Sequence, residues 1–236
     1  MLQASALTMN FGQHTALHSL DLTVNRGEIY CLLGPNGAGK TTTINCFLGL
    51  ISPSSGYALV NKITVALQPE KARRHIAYIP ETVMLYPYLS GLENLAFFHE
   101  LTGQPLHTDQ YRQLLLHAGL QEQAIPRPVK TYSKGMRQKV GIAIATAKNA
   151  GALLLDEPTS GLDPKASKEF SALLKGFSEQ DRAVLMATHD IYHALEVASR
   201  IGIMCGGKLV AEVNPSGMDH YVLEHMYMEY IDSSTN

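Results

Sequence analysis

This sequence of 236 residues lacks several features that would place it in other classes of protein. It has three cysteines, at positions 31, 46 and 205, and no CxxC pair. This argues against a disulfide scaffold or a structural zinc site and fits a reducing compartment. Basic residues are not in excess, because 19 Lys and Arg stand against 21 Asp and Glu, a formal net charge of -2. Nucleic acid is therefore not expected as the main ligand, since counterion release needs a basic surface.

Long apolar runs are also missing. No segment approaches the ~20 residues that a bilayer-spanning helix needs, and the richest segment, 141–155, is interrupted by Lys148 and Asn149. The first residues lack the basic and then apolar stretch of a signal peptide. Apolar residues make up 45% and charged residues 17%, which is typical of a folded globular chain. We expect a cytoplasmic chain with one large domain, or a core with a smaller lobe.

Strand-like segments at both ends of the chain bracket a helical middle. Apolar runs and alternation predict strands near 6–9, 20–24, 29–33, 152–155, 183–187 and 201–205. Spacing and capping residues predict a helix over 41–50, helical structure over 90–120 with a second helix from about 107 to 118, and a helix over 133–149. Asp163-Pro164 predicts a further helix over 165–174. Gly206-Gly207 predicts a hairpin and 52–56 a turn. The pattern indicates an α/β fold.

A glycine-rich segment after the predicted strand 29–33 matches the phosphate-loop pattern GxxxxGK[ST]. It consists of Gly34, Pro35, Asn36, Gly37, Ala38, Gly39, Lys40 and Thr41. Glycines let backbone N–H groups point inward around phosphate oxygens, and the helix N-terminus adds partial positive charge. Lys40 would reach the β- and γ-phosphates and the Thr41 hydroxyl would bind Mg²⁺. The alternative is a turn that only joins strand to helix; the context favours nucleoside triphosphate binding.

Two carboxylates, Asp156 and Glu157, follow the apolar strand 152–155. Because ligands of a parallel α/β sheet bind at the carboxyl ends of its strands, we expect this pair beside the phosphate loop. Asp156 is a candidate for holding Mg²⁺ and Glu157 for polarising the attacking water. The alternative is that the pair caps the next helix.

The strand 183–187 delivers His189 to the same edge, where a neutral imidazole could hydrogen-bond the γ-phosphate. The segment from His189 to His193 also resembles the HExxH zinc motif. That motif needs both histidines on one helix and a glutamate as general base, whereas His189 directly follows a strand and Asp190 is the shorter acid. Zinc is therefore not expected.

These segments, in this order, resemble the ATP-binding subunits of ABC transporters over nearly the whole chain. Residues 131–138, TYSKGMRQ, stand where that family carries its LSGGQ signature, about twenty residues before Asp156. Ser160-Gly161-Leu162-Asp163 resembles the family's D-loop. The sequence is most similar to subunits of bacterial ABC-2 type exporters, which often read YSKGM at the signature.

The resemblance implies a P-loop NTPase (RecA-like) core of the α/β class, with an N-terminal antiparallel β-subdomain and an inserted α-helical signature subdomain. One ABC ATPase domain over 1–236 would divide into the β-subdomain with the phosphate-loop part of the core (1–81), the helical subdomain (82–150), the rest of the core (151–215) and a C-terminal helix (216–236). Its activity would be ATP hydrolysis that energises export, with ATP and Mg²⁺ bound.

The resemblance also implies roles for single residues. Phe11 stands where an aromatic ring stacks on adenine, the alternative being a buried strand-end aromatic. Residues from Gly34 to Thr42 would hold the phosphates. Ser133 and Gly135 keep the hydroxyl and the glycine that contact the γ-phosphate bound to a second subunit, although Ser133 also fits a helix N-cap. Asp163 would cross the dimer interface, or it simply starts the next helix.

Two positions depart from the family's usual residues. Glu81 stands where the Q-loop usually has glutamine, and its carboxylate can still bind Mg²⁺. Lys134 and Met136 replace the Gly and Gln of the signature. Because neither departure touches Lys40, Asp156, Glu157 or His189, we expect an active ATPase.

The resemblance implies three kinds of neighbour. The chain would pair with a second ATP-binding subunit, identical or closely related, and two ATP molecules would lie between the two head-to-tail faces. Membrane-spanning permease subunits would contact the helical insert and the loop 81–92, which places the chain at the cytoplasmic face of the bacterial inner membrane. No nucleic-acid partner is expected, and no residue here indicates the cargo.

An alternative from another class is a soluble ABC-type ATPase that acts as a clamp on nucleic acid or ribosomes. Repair ATPases of this type need a long coiled coil, but only about ninety residues separate Lys40 from Ser133, without sustained heptads. A GTPase would need an aspartate that reads guanine, which is missing after Asn61-Lys62. An inactive regulatory subunit is disfavoured by Glu157 and His189. The amphipathic tail (Tyr221, Leu223, Met226, Met228, Ile231) predicts core packing or a docking surface.

Overall fold

The computed structural model of the chain describes residues 1–103 and 105–233. The strands are β1 (Leu2–Phe11), β2 (His14–Val24), β3 (Ile29–Leu33), β4 (Ser55–Val60), β5 (Ile63–Thr64), β6 (Ile76–Ile79), β7 (Ala152–Asp156), β8 (Ala183–Thr188), β9 (Arg200–Cys205) and β10 (Lys208–Val213). The α-helices are α1 (Lys40–Leu48), α2 (Pro69–Arg73), α3 (Gly91–Glu100), α4 (Thr108–His117), α5 (Lys134–Ala147), α6 (Pro164–Glu179), α7 (Ile191–Val197) and α8 (His220–Ser233). No helix within these described ranges is long and apolar enough to cross a membrane.

The strands form two sheets. The first is antiparallel, in the order β2-β1-β4-β5. The second has the order β10-β9-β3-β8-β7-β6, parallel throughout except for β10. Every residue of β3, β7 and β8 is buried, as expected for central strands of a parallel sheet covered on both faces. The predicted α/β core with an N-terminal antiparallel sheet is confirmed.

The parallel register brings four loops to one edge of the second sheet. The loops after β3, β6, β7 and β8 carry the phosphate loop, Glu81, the Asp156–Glu157 pair and His189. Because parallel strands all end on the same side, residues far apart in sequence meet there.

The middle of the chain is helical, and its helices begin where capping residues predict. Ser90 and Glu93 form a capping box at α3: the Ser90 hydroxyl accepts from the Glu93 N–H, and the Glu93 carboxylate accepts from the Ser90 N–H. α3, α4 and α5 pack through Leu95, Leu115 and Val140 into one core with β7.

Some boundaries differ from those predicted. The elements β5, β6, α2 and α7 are not predicted from the sequence, because each is only two to seven residues long and carries too little pattern to be recognised. The strand β4 already begins at Ser55, inside the turn predicted over 52–56. The helix after the phosphate loop ends at Leu48, because Gly49 takes the left-handed conformation.

The C-terminal helix α8 contacts the core through Leu223, Tyr227 and Tyr230, spaced at i, i+4 and i+7. Tyr221 and Met228 are 69% and 50% exposed, so core packing accounts for only part of the apolar residues of the predicted tail. The end of the predicted tail helix, residues 234–236, lies outside the described residues.

Candidate functional site

The phosphate loop between β3 and α1 requires glycine at two closely packed positions. A Cβ on Gly34 would lie 2.3 Å from the carbonyl oxygen of Met204 on β9. Gly39 has a φ of +103°, and a Cβ there would lie 2.8 Å from the carbonyl oxygen of Ala16 on β2. The loop is therefore held between strands of both sheets, and bulkier residues at these positions would move it.

The loop is also anchored by backbone hydrogen bonds. The Gly34 N–H donates to the Thr188 carbonyl at 3.2 Å. The Gly207 N–H donates to the Ala38 carbonyl at 3.1 Å, and the Gly207 carbonyl accepts from the His18 N–H at 2.9 Å. Gly207 belongs to the predicted β9–β10 hairpin, which is confirmed and has positive φ at Gly206 and Gly207.

Lys40 begins α1 with its ammonium group buried in the loop. The side chain is 5% exposed, and Nζ donates to the carbonyls of Gly34 at 2.6 Å and Pro35 at 3.1 Å. Nζ lies 3.6 Å from Oε1 of Glu157. Burial lowers the pKa of Lys40, and the carboxylates of Glu157 and Asp156 oppose that shift. A buried ammonium aimed into a loop of N–H groups is suited to bind phosphate oxygens.

Asp156, the last residue of β7, is buried beside Thr41. Burial raises the pKa of Asp156, and a hydrogen bond from the Thr41 hydroxyl acts in the opposite direction. Within the described part of the chain, Oδ1 of Asp156 has no hydrogen-bond partner. A buried carboxylate oxygen with free lone pairs, next to a hydroxyl, is a donor set of the kind that hard cations prefer.

Glu157 follows in a strained backbone conformation. Its φ is +47°, and its N–H donates to the Ala187 carbonyl at 2.9 Å. This turn aims the carboxylate across the strand ends towards His189, whose Nδ1 lies 2.9 Å from Oε2 of Glu157. A non-glycine residue in this region costs on the order of 1–3 kcal/mol and is typical of functional sites.

Lys40, Asp156 and Glu157 line one cavity of about 340 Å³, whereas Gly34, Pro35 and His189 are not among its lining residues. Of the residues predicted to bind the nucleotide or Mg²⁺, the cavity brings together Phe11, Asn36, Gly37, Ala38, Gly39, Lys40, Thr41, Thr42, Glu81, Asp156 and Glu157. Phe11, at the end of β1, is 50% exposed at this cavity rather than buried. His14 and Ala16 of β2 also line it, although no sequence motif singled them out.

Ser133, Gly135 and Asp163 are not among the residues that line this cavity. Ser133 caps α5 and accepts from the Met136 N–H at 3.2 Å, and Asp163 caps α6 and accepts from the Ala166 N–H at 2.9 Å. The two helix N-terminal regions adjoin, since a Cβ on Gly135 would lie 3.3 Å from that of Ala166. Ser133 and Asp163 therefore act as helix N-caps, which is the alternative predicted for each. Neither residue lines the cavity of the phosphate loop in its own chain.

Two residues that the sequence marks only as members of the predicted D-loop and signature segments, Ser160 and Gln138, contact Glu81. The Ser160 hydroxyl donates to Oε1 of Glu81 at 3.1 Å. Nε2 of Gln138, on α5, donates to the Glu81 carbonyl at 3.3 Å and to the Pro158 carbonyl at 3.0 Å. The only sequence signal for Gln138 was its place in the segment 131–138, one turn after Ser133.

The two histidines of the segment that resembles the HExxH motif, His189 and His193, lie in different elements of the structure. His193 lies on α7, buried, with Nδ1 3.3 Å from the Thr159 hydroxyl, whereas His189 precedes that helix. The two histidines do not share one helix face, so the geometry of the zinc motif is not formed.

Comparison with known proteins gives one consistent family. Residues 17–160 match the family model described as ABC transporter. The uncharacterised ABC transporter ATP-binding protein YdbJ of Bacillus subtilis (strain 168) is 37% identical over 220 residues, which cover 93% of this chain and 71% of YdbJ. The Nod factor export ATP-binding protein I of Ralstonia nicotianae is 30% identical over 226 residues, covering 95% of this chain and 69% of that protein.

A solved structure is similar over the same extent. The dimeric post-hydrolysis state of the ATP-binding cassette MJ0796, bound to ADP and Pi, superposes with a TM-score of 0.82 at 27% identity, covering 91% of this chain and 99% of that one. These relatives are transporter ATP-binding proteins and a dimeric cassette, and they do not support a clamp on nucleic acid or ribosomes.

Proposed function

Because this chain belongs to the ABC transporter family and is an ATP-binding subunit with ATPase activity, we propose that its phosphate-loop cavity binds ATP with Mg²⁺ and that Glu157 activates the attacking water. The observation that carries this assignment is the meeting of Lys40, Asp156 and Glu157 in one cavity with the loop N–H groups. Phe11, half exposed at the same cavity, is assigned to stacking on adenine.

In this proposal each residue of the phosphate loop has a defined task. The N–H groups of Gly37 and of residues 39–42 bind the phosphate oxygens, whereas Gly34 and Ala38 already donate to the Thr188 and Pro35 carbonyls and Pro35 has no N–H. The Lys40 ammonium exchanges its contacts with the Gly34 and Pro35 carbonyls for the β- and γ-phosphates. The N-terminus of α1 adds partial positive charge.

The oxygens of Thr41, Asp156 and Glu81 suit Mg²⁺, which commonly takes one or two protein ligands together with phosphates and water. The partnerless Oδ1 of Asp156 supports this fit. When bound, Mg²⁺ neutralises charge on the phosphate oxygens. Glu157 accepts the proton of the attacking water, and His189 holds the carboxylate through Oε2.

ABC ATP-binding subunits dimerise and work with membrane permease subunits. For this chain we assign Ser133 and Gly135 to the γ-phosphate bound by a partner subunit, and Asp163 to the interface. Their separation from the phosphate loop of their own chain supports that assignment. The partner is either a second copy of this chain or a close relative.

An exposed apolar surface on the helical insert is assigned to the permease. This patch consists of Met84, Tyr86, Tyr88 and Phe97. Met84 and Tyr88 are 77% and 78% exposed, and the Tyr86 and Phe97 rings pack edge to face at 4.8 Å. Contiguous exposed aromatic and sulfur-containing side chains typically mark protein interfaces. The patch follows Glu81 directly, so docking there is linked to the nucleotide site.

The remaining assignments are the direction of transport, the location of the chain and its division into subdomains. Similarity to a Nod factor export protein supports export as the direction and the cytoplasmic face of a bacterial inner membrane as the location. We retain the division into 1–81, 82–150, 151–215 and 216–236 as the proposed organisation of one ABC ATPase domain.

A single purification tests this function. A tagged Glu157→Gln variant is extracted in mild detergent with ATP and Mg²⁺, and the co-purifying proteins are identified. This variant is expected to hold ATP without hydrolysing it, so that the closed dimer and its permease stay together. Glu169→Gln, an exposed glutamate on α6, is the matched control.

A multi-pass membrane protein in stoichiometric amount with Glu157→Gln supports the proposal and identifies the subunit that determines the cargo. Recovery of ribosomes, nucleic acid or soluble partners alone contradicts it.

A further inference from the structure

Gln138 is a polar side chain in an otherwise apolar helix face. It is 1% exposed, and its neighbours along the buried side of α5, Gly141 and Ile142, are buried as well. A buried amide costs free energy unless its hydrogen bonds are made, so its partners show what holds it in place.

The orientation of this amide is fixed by its partners. Both nearby backbone groups, the carbonyls of Pro158 and Glu81, are acceptors, so the NH₂ group must face them. Each of its two N–H bonds serves one carbonyl. The opposite oxygen, Oε1, is buried and has no partner in the part of the chain that the structure describes. The side chain is therefore held entirely by what it donates to these two loops.

The two carbonyls belong to loops that carry nucleotide-site residues. Pro158 immediately follows Glu157, whose backbone is in the left-handed region with φ +47°. Glu81 lines the nucleotide cavity. Gln138 thus joins the loop after β6 to the loop after β7 from the helix above them.

A further hydrogen bond connects the same two loops directly. The Ser160 hydroxyl donates to Oε1 of Glu81 at 3.1 Å. The segment 158–160 is therefore tied to Glu81 twice, directly through the side chain and through Gln138 at the main chain. The Ser160 bond uses the carboxylate that Mg²⁺ would need, whereas the Gln138 bonds leave that carboxylate free.

We infer that Gln138 is a positioning residue for ATP hydrolysis: its amide fixes the peptide after Glu157 against the Glu81 loop and connects both to the helix that begins at Ser133. The inference rests on the proposed roles of Glu157 and Glu81. Gln138 is not among the residues that line the nucleotide cavity; it holds Glu157 in the orientation from which the carboxylate reaches nucleotide and water. When the partner's nucleotide engages Ser133, displacement of α5 reaches Glu157 of the same subunit through this amide.

The principal test is Gln138→Leu, a near-isosteric change that removes both donated hydrogen bonds. We expect kcat for ATP hydrolysis to fall by about 10- to 100-fold, since small displacements of a catalytic group have effects of this size. The Kd for ATP is expected to stay within about threefold of the native value, because the phosphate loop and Phe11 are untouched.

The pH dependence of activity in Gln138→Glu distinguishes a positioning role from a purely structural one. An ionised carboxylate donates nothing to the two carbonyls, whereas a protonated one donates a single O–H. Activity of this variant relative to the native protein is expected to rise as the pH falls from about 8.5 to 6, since burial favours the protonated form. The same ratio for Gln138→Leu is expected to stay flat.

Lys139→Met is the matched control on the same helix. It also removes two donated hydrogen bonds, to the Gly119 carbonyl and to Glu169, but at a distance from the nucleotide cavity. We expect native kcat for this variant. Thermal unfolding of all three variants, at temperatures above the assay, shows that each is folded when its activity is measured.

The outcomes separate this inference from the function on which it rests. Native kcat in a folded Gln138→Leu protein, beside an inactive Glu157→Gln protein, overturns the inference and leaves the function standing. Equal losses of kcat in Lys139→Met and Gln138→Leu also overturn it, because general loosening of α5 then accounts for both. Full activity in Glu157→Gln contradicts the proposed function itself.

Discussion

The Nδ1 atom of His189 lies 2.9 Å from Oε2 of Glu157, although the residues are separated by 32 positions in the chain. They follow the neighbouring parallel strands β8 and β7, which end at the same edge of the sheet. The other carboxylate oxygen, Oε1, faces Lys40 at 3.6 Å. The carboxylate is thus held between an imidazole on one side and an ammonium on the other, which fixes the direction from which it can accept a proton.

His189→Ala is expected to lower kcat by about 10- to 1000-fold while the Kd for ATP changes little, since the histidine orients the carboxylate rather than the phosphate loop. Steady-state ATPase rates and equilibrium nucleotide binding measure the two quantities. His117→Ala, on the exposed face of α4, serves as the control. A rate within twofold of native for His189→Ala would contradict the assignment.

Phe11→Ala is expected to weaken ATP binding by about 5- to 150-fold, because stacking of a base on an aromatic ring contributes about 1–3 kcal/mol. Phe11→Tyr should bind ATP as the native protein does. Tyr57→Ala, an exposed aromatic on β4, is the matched control and should leave the Kd unchanged. Isothermal titration calorimetry measures the Kd for ATP of each variant. Equal Kd values for Phe11→Ala and the native protein would rule out stacking at this position.

Alanine is expected to be tolerated very differently at two glycines of the phosphate loop. At Gly37 a Cβ has nothing within 4 Å, so the cost is only that of the φ of +82°, about 1–2 kcal/mol. At Gly34 the Cβ would collide with the Met204 carbonyl, and the loop must shift. With about 2–4 °C of Tm lost per kcal/mol in a chain of this size, Gly34→Ala should unfold at least several degrees below Gly37→Ala in a thermal melt. The reverse order would contradict this account.

The buried His193 is expected to make the stability pH-dependent. Burial lowers its pKa in the folded chain, while Asp190 and Glu196 oppose the shift. As the pH falls through the ordinary pKa of histidine, about 6.5, the unfolded chain binds a proton that the folded chain does not, so the free energy of unfolding decreases until the folded-state pKa is passed.

Tm measured from pH 7.5 to 5 should therefore fall more steeply for the native protein than for His193→Gln. The exposed His117→Gln variant should follow the native curve. Identical slopes for native and His193→Gln would show that another group is responsible.

Met84→Ser and Tyr88→Ser together are expected to abolish recovery of the membrane subunit without changing ATP affinity, because these side chains are exposed and lie outside the nucleotide cavity. Tyr221→Ser, exposed on α8, controls for general surface effects. Undiminished recovery from the double variant would place the permease elsewhere.

The nucleotide-binding part of the site could be predicted from the sequence because its signals are local. A phosphate loop is one continuous segment, and the Asp156–Glu157 pair directly follows an apolar strand, so parallel packing alone brings them together. The capping residues Ser90, Ser133 and Asp163 were equally readable, because an N-cap acts within one helical turn.

What could not be predicted depends on tertiary register. His14 and Ala16 reach the cavity only because the β1–β2 hairpin lies beside the phosphate loop. Gln138 differs from its polar neighbours on α5 only by facing two carbonyls from distant loops. On α8, apolar residues occur on all sides, so the sequence could not tell that Leu223 faces the core and Tyr221 does not.

Gly207 joins the phosphate loop to the antiparallel sheet. Its N–H donates to the Ala38 carbonyl in the loop, and its carbonyl accepts from the His18 N–H on β2. The strand β2 lies in the sheet that also carries Phe11. The aromatic ring and the phosphate loop are therefore held at a set spacing by a hairpin that lies outside the cavity. Because the ring and the loop are fixed relative to each other, the site suits a ligand of one length from base to terminal phosphate. We expect it to distinguish adenine nucleotides by the number of phosphates as strongly as by the base, so that lengthening the chain by one phosphate loses the contacts at one end.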